Sequence, residues 1–413
     1  MATGAPGLDI AICGAGPAGL AAALYAKRLG HRPVIFERFE TPKPVGAGLI
    51  LQPTGQAVLQ DLGLLDAVRQ LGAPLDRLHG ADARSGRVVL DVRYDSLPRL
   101  GRGLGIHRAA LFGLLHDAAV AAGIAIRTGA EVTGLQDVRE HRRALLLADD
   151  AVTEPFDLVV DCLGAGSPLR AHSSRPGKSR QLPFGAIWAT LPWHGDGFEA
   201  SALTQRYHRA KVMVGILPIG RSTAAGAQLA AFFWSLKPAD YDALQRDGLD
   251  TWKRTVLAHW PAVAPYLASV DDFSAMTLAR YAHYTMPDPT GDRVVFVGDS
   301  AHSTSPQLGQ GANMALLDAR ALYLGLRDHG ADMPAALAHY ARLRRWHVRL
   351  YQSLSAIFTP FYQSDSRSLP MVRDIFVSVL ARIPPAPQLL AALVSGSLLS
   401  PLRRLELKRP PRV

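Results

Sequence analysis

The stretch from Gly298 to Ala319, GDSAHSTSPQLGQGANMALLDA, constrains this chain more than any other. An unbroken apolar strand signal, Val294 to Val297, leads into it, and an apolar helix signal, Ala315 to Asp328, leads out. Between them stand an acid, a proline and glycines at 309 and 311, the residue types of a ligand loop running into a helix start. Glycine leaves the main chain bare, so the amides from Leu308 to Asn313 can approach a flat or anionic group. Unpaired N–H groups and the helix dipole favour negative charge there. Asp299, at the strand end, is suited to accept hydrogen bonds from a polyol. A glycine-rich turn beside a solvated acid accounts for any one of these residues, but not for all of them in sequence.

The chain opens with a complete nucleotide-binding unit. Leu8 to Cys13 reads as a strand, Gly14-Ala15-Gly16-Pro17-Ala18-Gly19 as its turn, Leu20 to Leu29 as a helix closed by Gly30, and Pro33 to Phe36 as the next strand. In such a turn Gly14 allows the tight bend, Gly16 lets a pyrophosphate touch the backbone, and Gly19 permits close packing of helix on strand. Glu37 stands eighteen residues after Gly19 (37 − 19), where a carboxylate can hold both hydroxyls of an adenosine ribose. An acid there repels a 2′-phosphate, so the site predicts FAD or NAD and not NADP. The plainer alternative is a surface acid at a strand end.

Val45 to Gln52 gives a second glycine-rich passage and a strand, and Pro53 to Arg69 has the apolar spacing of a helix. Short alternating strands follow from Leu75 to Asp95. The chain returns at Ile106-His107-Arg108 and continues as a helix, Ala109 to Ala122. An arginine at a helix start opposes the dipole unless an anion compensates it, so Arg108 is read as a phosphate ligand. Ile124 to Leu135, Ala144 to Leu147 and Phe156 to Leu163 read as strands, the last followed by another glycine turn, Gly164 to Ser167. From about residue 176 to 285 the pattern is β-rich, with strands at Phe184 to Leu191, Gln205 to Leu217 and Leu229 to Leu236 and a helical insertion from Pro238 to Leu267. Such a sheet predicts a pocket wall, with Trp188, Tyr207, Trp234 and His283 as candidate substrate contacts. Met333 to Ser353 reads as a helix, and the remainder as helical and broken by prolines. Gln388 to Leu399 is apolar enough to rest on a membrane surface, but a helix closing the pocket is the favoured reading.

At 413 residues the chain exceeds what one hydrophobic core organises. The pattern divides it into a discontinuous α/β nucleotide-binding domain (1–74, 101–175 and 286–350), a β-sheet substrate domain (75–100 and 176–285) and a helical C-terminal region (351–413). The net charge of +10 comes from arginines spread over the chain, a field that draws in anionic cofactors and substrates. No element clusters basic residues with aromatics, so nucleic acid is not the expected partner. The two cysteines, Cys13 and Cys162, fall in strand signals and make no disulfide framework. With no basic and apolar leader before Asp9 and no apolar run of roughly 18 to 20 residues, a cytoplasmic monomer or dimer is expected.

Three ligand-facing segments, near residues 14, 108 and 298, call for a long cofactor ending in a ring. On these residues the chain resembles the group A flavoprotein monooxygenases, the para-hydroxybenzoate hydroxylase-like family, over nearly its full length. Gly14, Gly16, Gly19 and Glu37 match the family's FAD-adenosine motif, Arg108 its flavin-phosphate arginine, and Gly298, Asp299 and Pro306 to Asn313 its flavin-loop motif. The resemblance implies a Rossmann-like FAD domain carrying an inserted β-sheet substrate domain. Ala18, Arg38, Gly48, Val132, Ala312 and Asn313 complete the expected FAD contacts, and Pro306, Gly309, Gln310 and Gly311 form the flavin-ring loop. It further implies that NADH or NADPH reduces FAD, O₂ adds at the flavin C4a carbon, and the hydroperoxide passes one oxygen to an aromatic or other electron-rich small molecule. His302, Tyr207, Tyr281 and His283 are the acid/base candidates. A flavin oxidase or reductase of the same fold, a halogenase and a non-catalytic flavin-binding protein are the alternatives. One match fails: the family's Asp-Gly pair after the middle strand is Leu163-Gly164 here. Asp161, two residues back on the same strand face and displaced by about 6.5 Å, is expected to substitute in part.

Overall fold

The computed structural model describes residues 7–41, 47–97, 99, 101–138, 141–330, 332–380 and 383–411. Val45 and Gly46, the start of the second glycine-rich passage, lie outside them.

Asp9–Cys13 is the centre of a six-stranded sheet in the order Thr290–Gly291, Val294–Phe296, Leu158–Asp161, Asp9–Cys13, Arg32–Phe36, Ala125–Arg127. All neighbours are parallel except the first pair. Parallel strands are covered on both faces, which is why these segments read as continuous apolar runs. Ile10, Ile12, Val160 and Val295 pack under helices, while Ala11, Val159, Val294 and Phe296 join Phe156 and Tyr284 on the other side. Helix α1 (Pro17–Arg28) starts with proline in its first turn and ends with Lys27 and Arg28 in its last, as the helix dipole favours.

The helix expected over Pro53 to Arg69 is two, α2 (Pro53–Asp61) and α3 (Leu65–Leu71), because Gly63 turns at φ +79° between them. They flank a small sheet, Gly48–Leu51, Gly103–His107 and Ala73–Leu75, before α4 (Arg108–Ala121). Two expected strands also divide. Ile124 to Leu135 breaks around Gly129 (φ +63°) into Ala125–Arg127 of the main sheet and Val132–Val138 of a separate ribbon with Arg142–Leu147. Gln205 to Leu217 is a hairpin, Ala202–His208 against Val212–Gly220, turning at Arg209 (φ +55°). Each turn is short and polar, Arg127-Thr128-Gly129 and His208-Arg209-Ala210-Lys211, and apolar strand residues resume at once beyond it, so a window that averages over the segment reads one strand.

Those hairpin strands belong to a seven-stranded sheet in the order 276–279, 185–192, 229–236, 212–220, 202–208, 77–82, 88–93. One face, with Ile187, Phe232 and Trp234, is covered by α5 (Tyr241–Asp247), α6 (Leu249–His259) and α7 (Ala264–Ala268) through Trp252, Val256 and Tyr266. The other, with Tyr207, Met213 and Phe233, packs on Ala47, Leu75 and Val394. After the short α8 (Asp299–His302), α9 (Gly311–His329) begins four residues before its apolar signal. Helix α10 runs from Met333 to Tyr362, past the end expected at Ser353, with Pro360 inside its last turn. Helices α11 (Ser368–Leu380), α12 (Ala386–Val394) and α13 (Pro401–Arg404) complete the chain. Among the described residues no helix is long and apolar enough to cross a membrane.

Candidate functional site

A cleft of about 850 Å³ runs along the carboxyl ends of the main-sheet strands. Its floor at one end is the first glycine turn. Gly14 sits at φ +101°, and a Cβ there would lie 2.7 Å from the Cys162 carbonyl oxygen. At Gly19 a Cβ would meet the Gly14 carbonyl oxygen at 2.0 Å, so this residue sets how closely α1 approaches the first strand. A Cβ at Gly16 would meet nothing within 4 Å, which leaves bare backbone open to the cleft at the N-terminus of α1. That cradle suits a pyrophosphate. Ala18 lines the cleft beside it.

Glu37 follows the second strand and accepts hydrogen bonds from the Ala15 N–H (2.8 Å) and the Phe39 N–H (3.2 Å). One donor on each oxygen leaves acceptor capacity on both, facing the cleft with Arg38 and Phe39. The far wall comes from α4. His107 caps this helix by accepting the Ala109 N–H at 3.2 Å, and Arg108, Leu111 and Phe112, spaced i, i+3, i+4, present one face to the cleft. Arg108 and Asp299 meet solvent through the cleft mouth and are otherwise enclosed by protein. Burial lowers the Arg108 pKa against the pull of Asp299 and Tyr281. Burial likewise raises that of Asp299, opposed by His302, Arg108 and Arg170.

At the other end, Pro306–Leu308 forms one 3₁₀ turn and Gly309 takes the left-handed conformation (φ +60°) that glycine adopts without strain. Gly311 and Ala312 then open α9 and line the cleft, as do Val132 and Leu163. Four of the expected contacts have packing or side-chain roles within the protein. Gly19 packs helix on strand, Gly48 makes room for Ile219, and Asn313 is a strap: its Oδ1 accepts the Gln52 N–H at 2.8 Å and its Nδ2 donates to the carbonyls of Ile50 and Gly309, each at 3.0 Å. Gln310 is buried and turns its side chain toward residues 386–394, donating from Nε2 to the Val394 carbonyl at 2.5 Å.

Each acid/base candidate has a partner within the protein. His302 Nε2 lies 2.5 Å from Asp318, which also takes the Gly298 N–H and Arg344 Nε and is wholly buried. Tyr207 is a core residue, its hydroxyl donating to Gln205 and its ring 5.4 Å from Tyr362, so its expected place at the substrate is not observed. Trp234 is a correction as well: it pairs with Ile187 on the sheet face sealed by α6, away from the cleft. Trp188 pairs with Phe233 on the opposite face, its ring 4.7 Å away, and its Nε1 donates to the Tyr281 hydroxyl at 2.9 Å. Burial pushes Tyr281 up to about 12 against that bond and the charge of Arg108. His283 Nδ1 lies 3.4 Å from Thr304 Oγ1, and burial lowers its pKa.

Asp161 does not share a face with Leu163. The strand ends at Asp161, Leu163 adopts helical backbone, and strand alternation therefore lapses between them. The Asp161 carboxylate is wholly buried, accepts the Leu163 N–H (2.9 Å) and the Ser167 hydroxyl (2.5 Å), and braces the glycine turn. Burial lifts its pKa to about 6 in spite of those bonds. Sequence reading missed Leu111, Phe112, Glu131, Thr133 and Pro168 among the cleft residues. The helical spacing of Leu111 and Phe112 from Arg108 is a signal for the first two; the others carry none. A larger groove of about 1140 Å³, edged by arginines, lies outside the 301–302 segment and shares no lining residue with the cleft.

Residues 7–351 match the family model described as FAD binding domain. The FAD-dependent urate hydroxylase of Mycolicibacterium vanbaalenii is 26% identical over 343 residues, covering 82% of this chain and 84% of that protein. The 3-hydroxybenzoate 6-hydroxylase 1 of Aquipseudomonas alcaligenes is 25% identical over 376 residues, 86% of this chain and 89% of that one. Among solved structures, Klebsiella pneumoniae HpxO complexed with FAD and uric acid superposes with a TM-score of 0.80 at 21% identity, over 95% of this chain and 98% of that one. The open Gly16 backbone, the acceptor-bearing Glu37 and the bare start of α9 fit the cofactor that this family binds. The chain belongs to the FAD binding domain family, in the group A branch of flavoprotein monooxygenases that resembles para-hydroxybenzoate hydroxylase.

Proposed function

We propose that this protein is an FAD-dependent monooxygenase that uses NADH or NADPH and O₂ to place one oxygen atom in a small aromatic or other electron-rich molecule. One observation carries this reading: a single cleft joins Glu37, the open turn at Gly16, Arg108, Asp299 and the N-terminus of α9, an elongated path suited to a dinucleotide with a terminal ring. Relatives named as hydroxylases of urate and of 3-hydroxybenzoate support it. Bound FAD supplies the redox chemistry, taking two electrons from the nicotinamide and passing them to O₂.

The chain's own residues do the positioning. Glu37 holds the adenosine ribose, and the backbone of Gly14 to Gly19 at the N-terminus of α1 takes the pyrophosphate. Arg108 pairs with a phosphate oxygen and Asp299 accepts from the polyol chain. Amides from Gly309 through Gly311 and Ala312 face the ring's electron-rich edge, where N–H groups at a helix start stabilise developing negative charge. Pro306 shapes the floor beside the ring, and Trp188 with Tyr281 and His283 forms the substrate side. The parallel sheet with its helices (1–74, 101–175 and 286–350) then acts as the cofactor domain, and 75–100 with 176–285 as the substrate domain. Leu163, where the family carries an acid, leaves the choice between NADH and NADPH to other residues.

Purified protein should be yellow, release FAD on denaturation, and consume NADH or NADPH and O₂ with a phenolic or purine panel. Product from isotopically labelled O₂ should gain one labelled oxygen. Colourless protein that takes up no FAD overturns the reading, and turnover with peroxide as the sole oxygen product makes it an oxidase instead.

A further inference from the structure

Helix α12 lies beyond the residues matched by the family, yet its C-terminal end meets the 306–313 loop. A helix leaves its last carbonyls without intrahelical partners. Here four consecutive carbonyls take side-chain donors from three other elements. Leu393 takes the Tyr351 hydroxyl (2.9 Å), Val394 takes Gln310 Nε2 (2.5 Å), Ser395 takes Thr54 Oγ1 (3.2 Å), and Gly396 takes His347 Nε2 (3.0 Å). Tyr351 and His347 come from α10, Thr54 from α2, and Gln310 from the loop itself.

Gln310 stands between two glycines, so within 309–311 its side chain is the one available anchor. Fixing its amide to Val394 fixes the peptide planes on either side, and those planes aim the loop amides. A buried chain of bonds joins this anchor to the start of the loop. His347 Nδ1 lies 3.1 Å from Arg344, Arg344 Nε donates to Asp318 at 2.5 Å, and Asp318 accepts the Gly298 N–H at 2.9 Å. Burial depresses the His347 pKa to about 3, so at neutral pH its ring is uncharged, with one donor and one acceptor nitrogen. The junction is tight: a Cβ at Gly396 would lie 2.5 Å from Thr54 Oγ1 and 2.9 Å from Gln310 Oε1.

We propose that the end of α12 is a clasp on the flavin loop, and that His347 and Tyr351 are positioning residues that set the loop amides by holding that clasp against Gln310. The inference rests on the reading of residues 306–313 as the flavin loop.

The test uses FAD-loaded protein carrying His347→Ala, His347→Gln, Tyr351→Phe or Gly396→Ala, with the FAD dissociation constant and the midpoint potential of bound FAD as readouts. His347→Ala, which removes one buried hydrogen bond, and Gly396→Ala, whose Cβ presses on Thr54 and Gln310, should each weaken FAD by about fivefold or more and lower the potential. His347→Gln, which keeps a donor and an acceptor, should restore affinity to within about twofold of wild type, and Tyr351→Phe should fall between. Wild-type affinity and potential in both His347→Ala and Gly396→Ala overturn the clasp, even where the thermal midpoint drops. If those two variants do not fold, Tyr351→Phe, which removes one hydroxyl and no carbon, decides the matter by the same readouts. Failure of the wild-type chain to bind any FAD overturns the flavin reading itself, and the clasp with it.

Discussion

Replacing Asp318 with asparagine keeps the side chain's shape and removes its charge, at a site with no solvent. Asp318 is wholly buried and holds three donors: the Gly298 N–H, His302 Nε2 and Arg344 Nε. Burial alone would raise its pKa, but the charges of His302 and Arg344 and their hydrogen bonds outweigh it and hold the carboxylate at about 2. A carboxylate depressed from its ordinary 3.8 stabilises the fold fully above that value, and the contribution is lost as pH falls through 3.8 toward 2. At about 1.4 kcal/mol per pH unit, the shift is worth about 2 kcal/mol. The asparagine variant loses more, because Arg344, only 2% exposed, is left as a buried cation without its counter-charge. Breaking such a pair costs about 3–5 kcal/mol. Urea unfolding at fixed FAD concentration should show that loss at neutral pH, and the gap between wild type and variant should narrow as pH is lowered from above 3.8 toward 2. A neutral-pH loss under about 1 kcal/mol, or a gap independent of pH across that window, refutes the reasoning.

The two glycines of the first turn should separate folding from binding. Gly19→Ala, whose Cβ meets a carbonyl at 2.0 Å, should lower stability by about 1–3 kcal/mol. Gly16→Ala meets no protein atom and should unfold like wild type while binding FAD more weakly, as compared by denaturant midpoint and fluorescence titration. Arg108→Ala should cost about 1.5–3 kcal/mol of FAD binding, the worth of a hydrogen bond to a charged group, with a loss that shrinks at high salt; an unchanged dissociation constant argues against the phosphate role. Trp188→Phe should change substrate KM more than stability. Trp234→Phe should do the reverse, measured by steady-state kinetics and thermal melts, because the two side chains lie on opposite faces of one sheet.

Much of the candidate cleft's local geometry was legible as local chemistry. The first turn carries its glycines in the one order that bends the chain, opens the backbone and lets α1 pack, and each demand is a property of a residue and its immediate neighbours. The same holds for Glu37 at a strand end, for Arg108 opening a helix, and for the bare start of α9. The two-faced alternation that marks Trp188 and Trp234 was equally readable, but alternation does not say which face meets a cleft and which meets α6. Asp161 was misjudged for a related reason: the period of two holds only while the strand lasts, and the strand stops there. The turn at Gly63 escaped notice because Leu62, Leu64 and Leu65 carry the apolar pattern across it, and those at Gly129 and Arg209 because their few polar residues are outweighed by the apolar strands on either side. The docking of α12 on Gln310 lies further still from sequence reading, since it joins residues 84 apart through a carbonyl that every amino acid possesses. Periodicity and residue type determine what a segment can form. Which segments become partners is decided when distant surfaces compete for burial, and that competition exists in three dimensions alone.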